Sequence, residues 1–153
     1  LLGVTGPLTA IDDWPLTALL RGARAVFAAE IRRALADAGY EDIPPNGPYV
    51  IGGMARASAP LADVIVRLGV SKQAAGQLVD TLVVRGYLDR SVDADDRRRL
   101  VLELTPRGMD AARVIRTVVD SLEAEMETAA GPDRVRAVRE VLGWLIRRGA
   151  ADV

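Results

Sequence analysis

The 153-residue chain contains no cysteine and no histidine. The first absence excludes disulfides, thiol redox sensing, zinc–thiolate sites and cysteine nucleophiles. The second removes the commonest general base and the commonest transition-metal ligand, and with them triad hydrolases and most zinc enzymes. Lysine occurs once, as Lys72, against 19 arginines, and aromatic residues are only 4% of the sequence. The arginine bias reads as genomic background. Long apolar runs are also missing. The longest charge-free stretch, Ile43 to Ala55, is 13 residues and holds three prolines, whereas a bilayer-spanning helix needs roughly 20. The opening Leu1-Leu2-Gly3-Val4-Thr5-Gly6, followed by Asp12-Asp13, lacks the basic start of a secretory signal. The expectation is a cytoplasmic protein without cofactor, metal or membrane partner.

With 50% hydrophobic and 27% charged residues, the chain reads as one globular domain, 1–153, with enough apolar surface for a core. The net charge of −1 hides an uneven distribution. Residues 1–55 carry 4 Arg against 6 acids, residues 56–116 carry 11 Lys and Arg against 8 acids, and residues 117–153 carry 5 Arg against 7 acids. A basic middle between acidic ends is the weak form of a nucleic-acid-facing segment.

Apolar residues at 3–4 residue spacing predict a helix over Pro15–Ala38, with Gly39 as its stop. Pro44-Pro45-Asn46-Gly47-Pro48 interrupts the chain before the apolar run Tyr49–Ala55, read as a short buried helix. From Pro60 a stripe of Leu61, Val64, Ile65 and Leu68 forms one helix, Gly69 ends it, and Ser71 is suited to cap the next, Lys72 to about Arg85. A 100° projection of that second helix places Ala75, Leu78 and Leu82 inward, with Gln73, Gly76 and Asp80 opposite and Lys72 and Gln77 at the flanks. Two strand-like segments follow, Tyr87–Ser91 and Leu100–Leu104, separated by the charged tip Val92–Arg99. Thr105-Pro106 has the form of a cap and first helical residue. It opens a long helix with Ala112, Ile115, Val119, Leu122 and Met126 at core spacing, broken at Gly131-Pro132. A last helix is read with Val135, Val138, Leu142 and Leu145 inward and Trp144 beside them.

Helix, turn, helix and two-stranded hairpin, in that order, describe a winged helix-turn-helix. In that architecture the second helix enters the major groove and the hairpin reaches the neighbouring backbone or minor groove. The residue types fit. Ser71 and the early amides of its helix can face a phosphate, Lys72 can neutralise one, and Gln73 and Gln77 can pair with base edges. Gly76 costs its helix about 1 kcal/mol, which makes sense where close approach to DNA is useful. Arg97, Arg98 and Arg99 at a ribbon tip suit a narrow minor groove, and the preceding Asp96 can orient them. The plainer alternatives are a solvated helix face and a solubilising loop. Asp80 on the outer face would repel phosphate, so it is assigned to a scaffold salt bridge. Trp14, Phe27, Tyr49 and Trp144 can line a cavity but more often belong to core or interface. Glu123, Glu125 and Glu127 read as a solvated face. Asp12-Asp13 and Asp95-Asp96 are acid pairs without an accompanying nucleophile or base, so no enzyme is expected.

The runs Leu68–Leu82, Gly86-Tyr87-Leu88-Asp89-Arg90, Asp93–Arg98 and Leu104-Thr105-Pro106-Arg107-Gly108 resemble the MarR family of bacterial transcription regulators, closely over about residues 58–110. The resemblance implies a mainly α (α+β) fold with a two-stranded wing in the lobe 44–105 and dimerisation helices at 14–39 and 106–149. It also implies a homodimer on double-stranded DNA, with a pseudo-palindromic operator, a repressor role and a possible small-molecule effector near residues 43–55. By the family's motifs, Asp96 and Arg98 match the wing pair, with Arg98 in the minor groove. Ser71, Lys72, Gln73 and Gln77 match recognition-helix positions. A winged-helix module that binds protein instead of DNA is the alternative.

Overall fold

The computed structural model describes residue 11 and residues 13–57, 71–92 and 100–150. Among these, five helices and one two-stranded sheet follow in the order α1 (Leu16–Asp37), α2 (Gly47–Ala57), α3 (Lys72–Val84), β1 (Leu88–Val92), β2 (Leu100–Leu104), α4 (Pro106–Ala130) and α5 (Pro132–Ala150). The first member of the expected helix pair, around Leu61–Leu68, lies outside the described residues.

Local chemistry accounts for most of the boundaries. Pro15 stands as the N-cap of α1, its carbonyl accepting from the amides of Ala18 and Leu19 at 2.8 and 3.1 Å. Gly39, Gly86 and Gly131 adopt φ values of 83°, 74° and 87° after α1, α3 and α4. That left-handed region is open to glycine at no Cβ cost. The Ser71 and Thr105 side chains cap α3 and α4, accepting from the amides of Ala74 and Gly108 at 3.2 and 3.0 Å. Each cap contributes about 1 kcal/mol.

Strands β1 and β2 pair antiparallel from Leu88 opposite Leu104 to Val92 opposite Leu100. The α4 helix is the spine: α1 and α2 pack along it, and β2 and α5 meet it near its two ends. The core joins Ile31 and Leu35 of α1, Val50 and Ile51 of α2, Val79 and Leu82 of α3, Tyr87, Leu88, and Ala111, Ala112 and Ile115 of α4. Fully buried side chains such as Ile51, Leu82 and Leu88 contribute roughly 1.5–3 kcal/mol each.

Two sequence expectations change. The inward face of α3 is Ala75, Val79 and Leu82, with Leu78 only partly covered. In α5 only Val135 is buried, while Val138, Val141, Trp144, Leu145 and Ile146 are 45–66% exposed in the single chain. Of the residues that spacing places inward, Val135 is buried, but Val138 and Leu145 are not, because the chain's own core does not cover that side of the helix.

Candidate nucleic-acid interface

Burial of Ala75, Val79 and Leu82 fixes the rotation of α3 and decides what it presents outward. Ser71, Lys72, Gln73, Gly76 and Gln77 are all exposed. Positions 73, 76, 77 and 80 follow the 3–4 residue spacing of a single helix face. Thirteen residues make a rod about 20 Å long, and a major groove about 12 Å wide admits such a helix. A Cβ built on Gly76 meets nothing within 4 Å, so the surface there is open and low. At the helix start, Ser71 holds an extended backbone (φ −62°, ψ 153°) and its Oγ caps the amide of Ala74. Lys72 and the first-turn amides therefore stand at the positive end of the helix dipole.

Asp80 lies further along this outer side and forms an ion pair with Arg90 of β1, both side chains about half exposed. The pair turns the acid toward the wing and leaves the first two turns of α3 without a carboxylate. The expected scaffold role of Asp80 is thus met by a named partner. Asp96, Arg97, Arg98 and Arg99 lie outside the described residues. The strands that lead to and from that tip are in register as far as Val92 opposite Leu100.

A cluster that sequence reading missed ties this helix to the rest of the fold. Asp42, in the turn between α1 and α2, accepts hydrogen bonds from three residues. The Tyr87 hydroxyl and the Arg107 guanidinium (3.1 Å) donate to its Oδ1, and Arg85 donates to its backbone carbonyl. Arg107 also donates to the Tyr87 hydroxyl at 3.0 Å and lies 4.7 Å from the centre of the Tyr87 ring. Tyr40 meets Tyr87 edge to face, with centroids 6.2 Å apart. The Tyr87 hydrogen bond, helped by the positive charge of Arg107, holds the Asp42 carboxyl below its usual range. Burial and the facing carboxylate push the Tyr87 phenol above its ordinary value. Separations of 45 and 20 residues carry no local sequence signal for this meeting.

A cavity of about 660 Å³ opens where α1, α2 and α4 face one another, lined in part by Arg24, Phe27, Tyr49, Met109, Arg113 and Val119. Of the four aromatics considered from sequence, Phe27 and Tyr49 line it, while Trp14 and Trp144 stand 46% and 56% exposed elsewhere. Arg24 donates to the Tyr49 hydroxyl at 3.3 Å and lies over its ring at 5.2 Å. Glu123 pairs with Arg139 of α5, whereas Glu125 and Glu127 are exposed.

Residues 42–99 match the MarR family. Among solved structures, the chain is similar to the transcription regulator MarR from Oenococcus oeni PSU-1, with 18% identity over 87% of this chain and 99% of that one (TM-score 0.69). It is likewise similar to MepR of S. aureus in a complex with DNA, with 16% identity over 89% and 99% of the two chains (TM-score 0.69). MepR bound to ethidium bromide matches at 16% identity over 90% and 98% (TM-score 0.55). No curated protein sequence matches the chain.

Proposed function

We propose that this chain, whose residues 42–99 match the MarR family and whose fold is that of the similar solved regulators, belongs to that family and is a ligand-responsive transcription repressor and not an enzyme. It works in the cytoplasm as a homodimer on a pseudo-palindromic operator. The observation that carries the reading is the outer face of the first two turns of α3, where Ser71, Lys72, Gln73, Gly76 and Gln77 stand together with no acid among them, on a helix fixed from behind by the core. Lys72 and the helix start bind phosphate, the two glutamines read base edges, and Gly76 permits close approach. Arg97, Arg98 and Arg99 of the wing tip enter the minor groove, with Asp96 orienting them. The lobe 44–105 carries these contacts, and the helices of 14–39 and 106–149 join the two copies. The outward apolar row of α5 supports that joining, since exposed Val138, Val141, Leu145 and Ile146 gain from burial against a second copy.

In such a dimer the two recognition helices sit about one duplex turn apart, near 34 Å. The cavity between α1, α2 and α4 supports the effector step. It is bounded by the helices that would hold the dimer and by the lead into the DNA-binding lobe, so an occupant that favours one separation of the lobes changes operator affinity. A coupling of roughly 1–3 kcal/mol is usual for such switches.

Fluorescence anisotropy of duplexes from DNA flanking the coding region, over a salt series, tests the reading with wild type and Arg98→Ala. Specific binding with a log–log salt slope of several units, about −0.9 per phosphate neutralised, is expected, and Arg98→Ala weakens it. A folded dimer that binds none of the duplexes refutes the reading and points to a protein-binding module.

A further inference from the structure

We propose that Asp42, Tyr87 and Arg107 form a positioning cluster that sets the angle between the recognition helix and α4. On the DNA-binding reading above, on which this step rests, that angle fixes the half-site spacing the dimer accepts. The three donors that converge on Asp42 come from different parts of the fold. Arg85 is the C-cap of α3, Tyr87 joins α3 to β1, and Arg107 is the second residue of α4. Tyr87 is held through its main chain as well. Its carbonyl accepts from the Thr105 amide at 3.1 Å. It also lies where a Cβ on Gly108 would stand only 2.1 Å away, so α4 approaches the chain there more closely than any other residue would allow. The C-terminal end of α3 is therefore pinned to α4, while its exposed contact residues lie at the opposite end.

That geometry makes α3 a lever. From Arg85 to Lys72 the helix runs about 20 Å, so a 10° swing at the pinned end carries Lys72 through about 3.5 Å, close to the 3.4 Å rise of one base step. A small loosening of the cluster is thus enough to change register on DNA. Arg107 supplies more than charge, because its Nη2 donates to both the Asp42 carboxylate and the Tyr87 hydroxyl. The hydroxyl in turn donates to the same carboxylate oxygen. Removing the hydroxyl breaks the ring of contacts and leaves the buried aromatic ring in place.

The test uses Tyr87→Phe and Asp42→Asn, both near-isosteric, in full-length protein. Because the chain has no cysteine, spin labels attach only at Ala74→Cys on α3 and Glu127→Cys on α4, both exposed positions. Dilution with unlabelled chain restricts the distances to pairs within one protomer. Wild type is expected to give one narrow distance, and both variants, measured well below their melting temperatures, a distribution broadened by about 3 Å. Selection from random duplexes supplies the second readout. Wild type enriches inverted repeats of one spacing; the variants enrich the same half-site with spacing spread by about one base pair. Folded variants with the wild-type distance distribution overturn the proposal, as does Arg107→Ala with unchanged distances if the first two variants unfold. If wild type enriches no duplex while the variants still broaden the distances, the cluster stands as a positioning device and the DNA-binding reading falls.

Discussion

Gly76→Ala separates stability from recognition, because the structure assigns the two effects opposite signs. Gly76 is the fifth residue of a 13-residue helix, exposed, with nothing within 4 Å of an added Cβ. The methyl group therefore costs no packing, and alanine has less backbone entropy to lose on folding than glycine, a gain of about 1 kcal/mol in a helix interior. For a chain of this size that raises the melting temperature by roughly 2–4 °C. On the proposed interface the same methyl stands between Gln73 and Gln77, where the duplex must come close. Loss of one well-made base contact there costs about 1–3 kcal/mol, or roughly fivefold to 150-fold in affinity. Urea unfolding and anisotropy on a duplex bound by wild type measure both quantities on one protein sample. A stabilised protein that binds at least about fivefold more weakly is expected. Reduced stability would refute the open, regular helix at this position. Increased stability with undiminished affinity would remove Gly76 from the contact surface.

Gly108→Ala is expected to act in the opposite direction. Its Cβ would meet the Tyr87 carbonyl at 2.1 Å and the Leu104 side chain at 3.0 Å, so the backbone must move, at a net cost of about 2 kcal/mol after the helix-propensity gain. Denaturant unfolding measures this, and a neutral result would contradict the close approach of α4 to the wing root. The pH dependence of stability follows from the same cluster. Asp42 is depressed, so its contribution is present above the ordinary carboxylate range near pH 4 and is lost as pH falls through its lower folded value. Tyr87 is raised, so its contribution is complete below about pH 10 and is lost as pH rises through its higher folded value. Asp42→Asn should flatten the acid limb of the stability profile and Tyr87→Phe the alkaline limb; limbs parallel to wild type would show that neither group is perturbed.

Features written in adjacent residues were legible before the fold was known. Ser71 and Thr105-Pro106 announce helix starts because a cap needs only its own next three residues, and Gly39, Gly86 and Gly131 announce stops for an equally local reason. The face of α3 that holds Ser71, Lys72, Gln73, Gly76 and Gln77 was legible because helical spacing turns sequence into angle. The choice of Val79 over Leu78 as its buried residue was not, since the two lie 100° apart and the neighbours of α3 decide between them. Spacing also identified the apolar side chains of α5, but it states which groups avoid water and not which chain covers them. The meeting of Asp42 with Tyr87 and Arg107 had no local signature, because it exists only once α1, α3 and α4 have been brought together.

Thr105 uses one hydroxyl twice, donating to the Gly86 carbonyl at 2.5 Å and accepting from the Gly108 amide at 3.0 Å. The end of the hairpin and the first turn of the long helix therefore share an atom, and neither can fray alone. Such a junction opens as one cooperative unit. Amide protons around Gly108 and those that lace β1 to β2 near Leu88 would then exchange with solvent with a common opening free energy. The described strands of the wing would keep time with α4, the helix that carries the most buried residues among those described.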